Sequence, residues 1–229
     1  MKREANVGTD IDTIRFGITN VYILRGRGTV LIDPAGPTRI QVAPAKLLDR
    51  LGTPPRLNLM IATHGHFDHI GASIRLREAT GAPLAVHRGD AAWLREGKLV
   101  WPKGVTLWGK VVRNVLGPLV RSLIKMPQIV PDILLEDEGL DLEPYGVEGR
   151  VVLTPGHSPG SVSVVLPSGE AFVGDLAMNG PPMCLRPSFG IFAHQPELVP
   201  ASWRRLLALG VRTVYPAHGQ PFPASALPA

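Results

Sequence analysis

Three histidines and one aspartate fall within six residues in the stretch Thr63, His64, Gly65, His66, Phe67, Asp68, His69. This stretch follows an apolar run that is typical of a strand. Imidazole nitrogen and carboxylate oxygen together suit zinc, iron or manganese. The alternating spacing directs His64 and His66 to one side, while Asp68 and His69 are free to turn to another. One short loop could therefore serve two metal ions.

The alternative for any single histidine is an ordinary surface or half-buried side chain. The chain contains 7 His, so three of them within six residues are hard to attribute to chance. A solvated polar turn would account for this cluster alone, but not for the residues found further along the chain.

Three more strand-like runs each end in a Gly or Pro turn that carries one potential metal ligand: His157, Asp175 and His218. Side chains at such positions are held on a rigid scaffold beside solvent. Taken singly, the two histidines could be turn residues and Asp175 a helix cap. Together with the first loop they make five His and two Asp. That set suits a two-metal site in which one carboxylate bridges the ions.

These seven residues, in this order, resemble the metallo-beta-lactamase fold superfamily of metal-dependent hydrolases, and within it the single-domain relatives of the glyoxalase II type. The resemblance implies a first metal on His64, His66 and His157. It implies a second metal on Asp68, His69 and His218, with Asp175 as the bridge. We expect two divalent ions, with zinc favoured over iron and manganese, and catalytic roles for Asp68 and Asp175.

Departures from the family pattern narrow the activity. The beta-lactamases of this fold replace the bridging aspartate or place a cysteine there, so Asp175 argues against antibiotic hydrolysis. The flavodiiron branch has Glu where His66 stands and continues into a flavin domain, so His66 argues against that branch. Because the sequence ends 11 residues after His218, we expect no helical glutathione-recognition domain, and a glutathione thioester is a weak substrate hypothesis.

Strand signals lie near residues 14–24, 28–33, 57–63, 150–154, 161–166, 170–174 and 213–215. Helical patterns cover Ile70 to Thr80 and Pro196 to Leu209, each followed by Gly. This order predicts an α/β fold, a four-layer αββα sandwich with the ligand loops at one edge. We expect one domain over residues 1–229.

Composition indicates a cytoplasmic protein. The segment from Met1 to Asp10 is polar, so we expect no secretory signal. No apolar stretch of about 20 residues would span a membrane. The single cysteine, Cys184, excludes an internal disulfide, and we interpret it as a small buried residue.

One basic insertion, at about residues 97–131, does not follow the strand and helix pattern of the predicted sandwich. Its six basic residues exceed the net charge of +5 of the whole chain, and no acidic residue lies between Glu96 and Asp132. Apolar residues recur at helical spacing, interrupted by Gly117 and Pro118, which predicts two short amphipathic helices. The basic residues are Lys98, Lys103, Lys110, Arg113, Arg121 and Lys125.

Three interpretations of this insertion stay open. It could be a cap whose apolar stripe packs on the sandwich, or a lid in which Trp101 and Trp108 line a pocket for an apolar substrate. It could also contact a partner subunit, giving a homodimer, or a membrane surface. Nucleic acid is disfavoured, because the basic residues lie among Leu and Val without interleaved aromatic residues.

The predicted reaction is hydrolysis of an ester, thioester or lactone of a small molecule with an apolar portion. Two ions about 3.5 to 4 Å apart can share a water and lower its pKa towards about 7, which gives a hydroxide nucleophile. The rivals are a sulfur dioxygenase with a single iron, a phosphodiesterase or phospholipid hydrolase, and a metal-stabilised binding protein without turnover.

Overall fold

A computed structural model of the chain describes residues 8–35, 42–180, 184 and 186–228. The helices are α1 (Val42–Leu51), α2 (Phe67–Ile70), α3 (Ser73–Thr80), α4 (Arg88–Arg95), α5 (Leu107–Leu123) and α6 (Val199–Ala208). The strands are β1 (Asp10–Phe16), β2 (Thr19–Arg25), β3 (Thr29–Ile32), β4 (Leu59–Ile61), β5 (Leu84–His87), β6 (Lys103–Gly104), β7 (Ile133–Leu135), β8 (Leu140–Asp141), β9 (Arg150–Leu153), β10 (Val162–Val165), β11 (Glu170–Gly174), β12 (Phe192–Ala193), β13 (Thr213–Pro216) and β14 (Phe222–Pro223).

Two mixed sheets form the centre of the molecule. The first has the strand order β1-β2-β3-β4-β5-β7, antiparallel from β1 to β3 and parallel from β3 to β7. The second has the order β14-β13-β11-β10-β9-β8, in which only β11 and β13 are parallel. A separate two-stranded ribbon pairs β6 with β12.

The two faces of each sheet pack against different layers. Successive side chains of a strand point to opposite faces of its sheet, so the packing of alternate residues shows which layer lies on which face. In β2, Val21 and Ile23 pack with the helices α1 and α3, while Tyr22 and Leu24 face the second sheet. In the second sheet, Val164 faces the first sheet and Val165 packs with α6. The predicted αββα sandwich is therefore confirmed.

Several element boundaries differ from the prediction. The strand expected at 14–24 is a hairpin of two strands, since Gly17 turns the chain with a φ of 62°. The helix expected from Ile70 to Thr80 is α3, preceded by the short α2, and it ends at Gly81 with a φ of 72°. The helix expected at 196–209 starts with one 3₁₀ turn before α6.

The prediction of two short helices in the insertion is wrong, because α5 continues through Pro118 as one helix of 17 residues. A proline removes only one helical hydrogen bond, here the one to the carbonyl of Asn114, and a helix can absorb that loss as a kink. The start of α5 is held by the β6–β12 ribbon, where Gly109 allows the backbone of Ile191 to approach closely.

Three further expectations concern secretion, membrane spanning and the single cysteine. Residues 1–7 of the segment expected to lack a secretory signal lie outside the described residues. Within the described ranges, no helix is both long enough and apolar enough to cross a bilayer. Cys184 is half-buried rather than buried, because it lies in a loop, where its thiol donates to the carbonyl of Met178 at 3.1 Å.

Candidate metal centre

All seven predicted ligands lie at one edge of the sandwich, on loops that follow buried strands. The first four come from the loop after β4 and from α2, and the others follow β9, β11 and β13. Gly174, at the end of β11, has a φ of 55°, and a Cβ there would lie 2.2 Å from Thr63 Oγ1. Glycine therefore lets the loop that carries Asp175 approach the first ligand loop (residues 63–69).

The side chains form three overlapping groups, and within each group the potential ligand atoms lie within 4.8 Å of one another. His64 and His69 each belong to two groups, so the groups form one continuous cluster. Six of the seven side chains are buried, and Asp68 is partly exposed. The groups are His64, His66 and His157; His64, His69 and Asp175; and Asp68, His69 and His218.

The carboxylate of Asp175 lies between the two ends of this cluster. Its Oδ2 is 3.5 Å from Nε2 of His157. Its Oδ1 is 3.6 Å from Nε2 of His69 and 3.3 Å from Nε2 of His218. One carboxylate thus directs its two oxygens at two different sets of imidazoles.

Hydrogen bonds outside the cluster orient most of the imidazoles. His157 Nδ1 is 3.1 Å from the carbonyl of Phe192, and His218 Nδ1 is 3.0 Å from the carbonyl of Ile18. Because a carbonyl only accepts, Nδ1 carries a proton in both rings, and Nε2 is the atom that faces the cluster. His69 Nδ1 lies 3.0 Å from a carboxylate oxygen of Asp33. These second contacts orient the rings, as the hydrogen-bond partners of metal-ligating histidines usually do.

The buried donor atoms fit divalent metal ions. Nε2 of His64 and Nε2 of His69 are buried and have no hydrogen-bond partner within the described part of the chain. His66 presents its other nitrogen to the cluster, with Nδ1 2.9 Å from His157 Nε2. Burying polar atoms without a partner costs free energy, and coordination of a metal would remove that cost. Burial, together with the neighbouring imidazoles, holds the pKa of His64 and His66 well below its usual value, so both are neutral, the form that binds metals.

The other end of the cluster is more polar. Burial opposes protonation of His69, but Asp68, Asp33 and Asp175 raise its pKa to about 9. Burial likewise opposes ionisation of Asp68, but His69 and His218 lower its pKa to about 2. The cluster therefore has a neutral, imidazole-rich end and an end where carboxylates balance imidazolium charge.

Asp33 is a positioning residue that sequence reasoning missed. It is buried, and its φ of 53° is unusual for a residue other than glycine. Its carboxylate accepts from the backbone N–H of Thr63 at 2.7 Å and from the Thr63 hydroxyl at 2.9 Å. Since that hydroxyl lies 3.1 Å from His64 Nδ1, Asp33 orients both His64 and His69. Asp33 follows a strand, as Asp175 does, and this position was the sequence feature that could have identified it as a residue of the site.

Asp90, at the start of α4, is the second positioning residue that sequence reasoning missed. Its carboxylate accepts from the backbone N–H groups of Gly65 at 2.9 Å and Gly160 at 2.8 Å, and from the Ser158 hydroxyl at 2.6 Å. It therefore joins the first ligand loop to the loop of His157. An acidic residue in a first helical turn is common, so the sequence carried no distinctive signal.

The remaining histidines are not in the cluster. His87 accepts from the N–H of Gly89 and lies 3.3 Å from Asp137. His194 is half-buried, with its ring centroid 5.1 Å from Trp93 and 5.9 Å from His66. Burial lowers the pKa of His194 to about 4, so it is neutral near pH 7.

A cavity of 240 Å³ opens on the cluster. Five of the seven predicted ligands form its polar part: His66, Asp68, His157, Asp175 and His218. The other lining side chains are apolar and include Ile18 from the first hairpin, Trp101, and Val112 and Leu116 from α5. Helix α5 and Trp101 thus contribute to the wall of the cavity, as the lid interpretation requires. Trp108, which the same interpretation placed in the pocket, is 53% exposed and is not among the lining residues.

The rest of α5 exposes apolar side chains. Leu107 is 81% exposed and Val115 67%, and Leu119 and Leu123 are also exposed. The cap interpretation, in which the whole stripe packs on the sandwich, therefore does not account for this helix. A homodimer or membrane contact through the insertion stays a prediction.

The family model of the metallo-beta-lactamase superfamily matches residues 14–218. The chain belongs to this superfamily. Members bind divalent metals, and the seven side chains described above are the groups of this chain that could hold them.

Curated relatives of this metallo-beta-lactamase superfamily chain include metallo-hydrolases. The probable metallo-hydrolase YflN of Bacillus subtilis is 31% identical over 161 residues, which cover 68% of this chain and 59% of that protein. The hydroxyacylglutathione hydrolase GloC of Haemophilus influenzae is 24% identical over 155 residues, or 67% of this chain and 63% of that protein. The chain thus spans about three fifths of the length of these relatives.

Solved structures of the superfamily share the fold. TTHA1623, in a di-iron-bound form, superposes with a TM-score of 0.67 at 28% identity, covering 96% of this chain and 98% of that chain. The BLEG-1 B3 metallo-beta-lactamase has the same TM-score of 0.67 at 24% identity, covering 95% of both chains. At that identity the second likeness concerns the fold alone.

Proposed function

We propose that this protein is a metal-dependent hydrolase that cleaves an ester, thioester or lactone with an apolar acyl part. The observation that carries the proposal is the placement of Asp175, whose two oxygens face different imidazole sets at 3.3 to 3.6 Å. A carboxylate in that position suits a bridge between two ions. The metallo-hydrolases among its relatives support the reaction class.

We assign His64, His66 and His157 to one ion and Asp68, His69 and His218 to the other, with Asp175 shared. When bound, a pair of ions supplies Lewis acidity and an activated water near neutral pH. Zinc is our first choice of metal, and the di-iron form of TTHA1623 makes iron the chief alternative.

The residues of the chain supply position and environment. Asp68 lines the cavity, and its ionised carboxylate can accept a hydrogen bond from a water at the cavity floor and so orient it. The apolar walls from Ile18, Val112 and Leu116 would hold an acyl chain and exclude bulk water, which strengthens electrostatic interactions at the floor. No lysine or arginine lines this cavity among the described residues, which favours an uncharged acyl group.

Metal analysis combined with a substrate panel tests the proposal. We expect about two ions per chain and turnover of at least one ester, thioester or lactone without oxygen consumption. One iron per chain with oxygen consumption on a persulfide would instead support a sulfur dioxygenase. Turnover of phosphodiesters alone would support a phosphodiesterase, and full metal occupancy with no turnover on any substrate would support a binding protein.

A further inference from the structure

A second cavity, of 230 Å³, lies beside the first on α5. Its character is different, because its lining contains two guanidinium groups, an amide and an indole N–H, and no carboxylate. The lining residues are Trp101, Arg113, Asn114, Gly117, Pro118 and Arg121. A cavity rich in donors and in positive charge suits an anion with several acceptor oxygens.

Two of these donors are buried without a partner. Nε1 of Trp101 and Nε of Arg113 are shielded from solvent and make no hydrogen bond within the described chain. Leaving such groups unpaired costs free energy, and unsatisfied buried donors are uncommon in native proteins. Both atoms belong to side chains that line the second cavity, so its wall contains donors that the described chain does not pair.

Helix α5 contains a glycine, Gly117, in its interior. A glycine inside a helix costs stability relative to alanine, and packing does not require it here. A Cβ at Gly117 would meet no heavy atom within 4 Å beyond its chain neighbours and its own helix backbone. Gly117 lines the second cavity, so the absence of a side chain leaves that space open.

Trp101 connects the two cavities, since it lines both of them. On α5, Val112 and Leu116 line the first cavity, and the residues next to them in sequence, Arg113 and Gly117, line the second. A single molecule extending past Trp101 from the metal centre would therefore meet apolar walls first and cationic walls next.

We propose that the second cavity binds a phosphate group of an amphiphilic substrate whose apolar acyl part occupies the first cavity. The role of the acyl part rests on the proposed hydrolase function. Phosphate suits the site better than carboxylate, because one guanidinium already satisfies the two oxygens of a carboxylate in a bidentate pair. Two arginines, an amide and an indole N–H call for more acceptor oxygens. The phosphate could belong to a soluble thiol carrier or to a lipid headgroup.

Binding of octyl phosphate to the metal-loaded protein tests the cavity without turnover. Calorimetric titration should show that octyl phosphate binds more tightly than octanol. The double variant Arg113→Gln/Arg121→Gln should weaken octyl phosphate binding by about tenfold or more and leave octanol binding unchanged. The control Lys98→Gln/Lys110→Gln removes the same charge from exposed positions that do not line the cavity, and it should change binding less than about twofold.

Either of two results overturns the proposal: octyl phosphate binding by the arginine variant within twofold of the unmodified protein, or an equal loss in the lysine control. If the arginine variant is poorly folded, Gly117→Leu provides a second variant, because its side chain would fill the cavity without removing charge. It should weaken octyl phosphate binding and not octanol binding, and equal affinity for octyl phosphate would overturn the proposal.

Turnover then distinguishes the two phosphate sources. Octanoyl-coenzyme A is compared with octanoyl-pantetheine, which lacks phosphate, and dioctanoyl phosphatidate is compared with dioctanoyl glycerol. In the pair that corresponds to the true phosphate source, the compound with phosphate should have the higher kcat/KM. The arginine variant should remove that difference in kcat/KM. If none of the four compounds is hydrolysed, that result counts against the proposed function. Octyl phosphate binding would still test whether the second cavity binds phosphate.

Discussion

The metal centre and helix α5 face the same cavity but are built in opposite ways. In the centre, six of the seven proposed ligands are buried, and most of the imidazoles are held by a second hydrogen bond to a carboxylate, hydroxyl or carbonyl. In α5, Val112 and Leu116 line the cavity while many other apolar side chains contact solvent. We therefore expect reaction chemistry to depend on the hydrogen-bonded loops of the centre, and substrate selection to depend on α5.

The largest effect is expected from Asp175→Ala, which would remove the carboxylate between the two ligand sets. Activity on the best panel substrate should fall by about 10³-fold, and metal content should fall below two ions per chain by plasma mass spectrometry. Asp49→Ala, an exposed carboxylate on α1, is the matched control and should change neither. Full activity with two ions in the Asp175 variant would contradict the bridging role.

Asp90→Ala tests whether the rigidity of the centre depends on residues outside the ligand set. It would leave the N–H groups of Gly65 and Gly160 unpaired in a buried region, so the free energy of unfolding in urea should fall by about 3 kcal/mol. Metal affinity should fall by about 10- to 100-fold, as for other residues that orient ligands. Glu78→Ala, an exposed carboxylate on α3, is the control. Unchanged stability would show that the two loops hold their position without Asp90.

Leu116→Trp tests the contribution of α5 to substrate selection. The larger side chain should obstruct the cavity and raise KM for an octanoyl ester by about tenfold, with a smaller change for an acetyl ester. Leu119→Trp adds the same bulk at a position that is 55% exposed and does not line the cavity. Equal effects of the two variants on the octanoyl ester would argue against α5 as a wall of the binding site.

The smallest effect is expected from Leu119→Gln. Because this side chain is exposed, the free energy of unfolding should change by less than about 0.5 kcal/mol, as for ordinary surface substitutions. A loss of more than about 1 kcal/mol that depends on protein concentration would show instead that the apolar side of α5 is buried in a dimer.

The sequence was sufficient to predict the layers and the clustering of the seven side chains, because each of them lies shortly after a buried strand. It was not sufficient to find Asp33 and Asp90, whose partners lie 30 and 25 to 70 positions away. Asp33 follows a strand, as Asp175 does, but the contacts of Asp33 and Asp90 depend on the tertiary fold and are not encoded in the local sequence. Pro118 was misinterpreted for a related reason, since sequence alone does not distinguish a kinked helix from an interrupted one.

The order of the strands has a consequence for folding. The first sheet comes from the N-terminal half of the described chain and the second from the C-terminal half, and the proposed ligands come from both. His64 and His218 are 154 positions apart, so their approach closes a long loop, which folding reaches late because of its entropic cost. We therefore expect metal ions to enter after the two halves have docked, and to act as a cross-link that slows their separation.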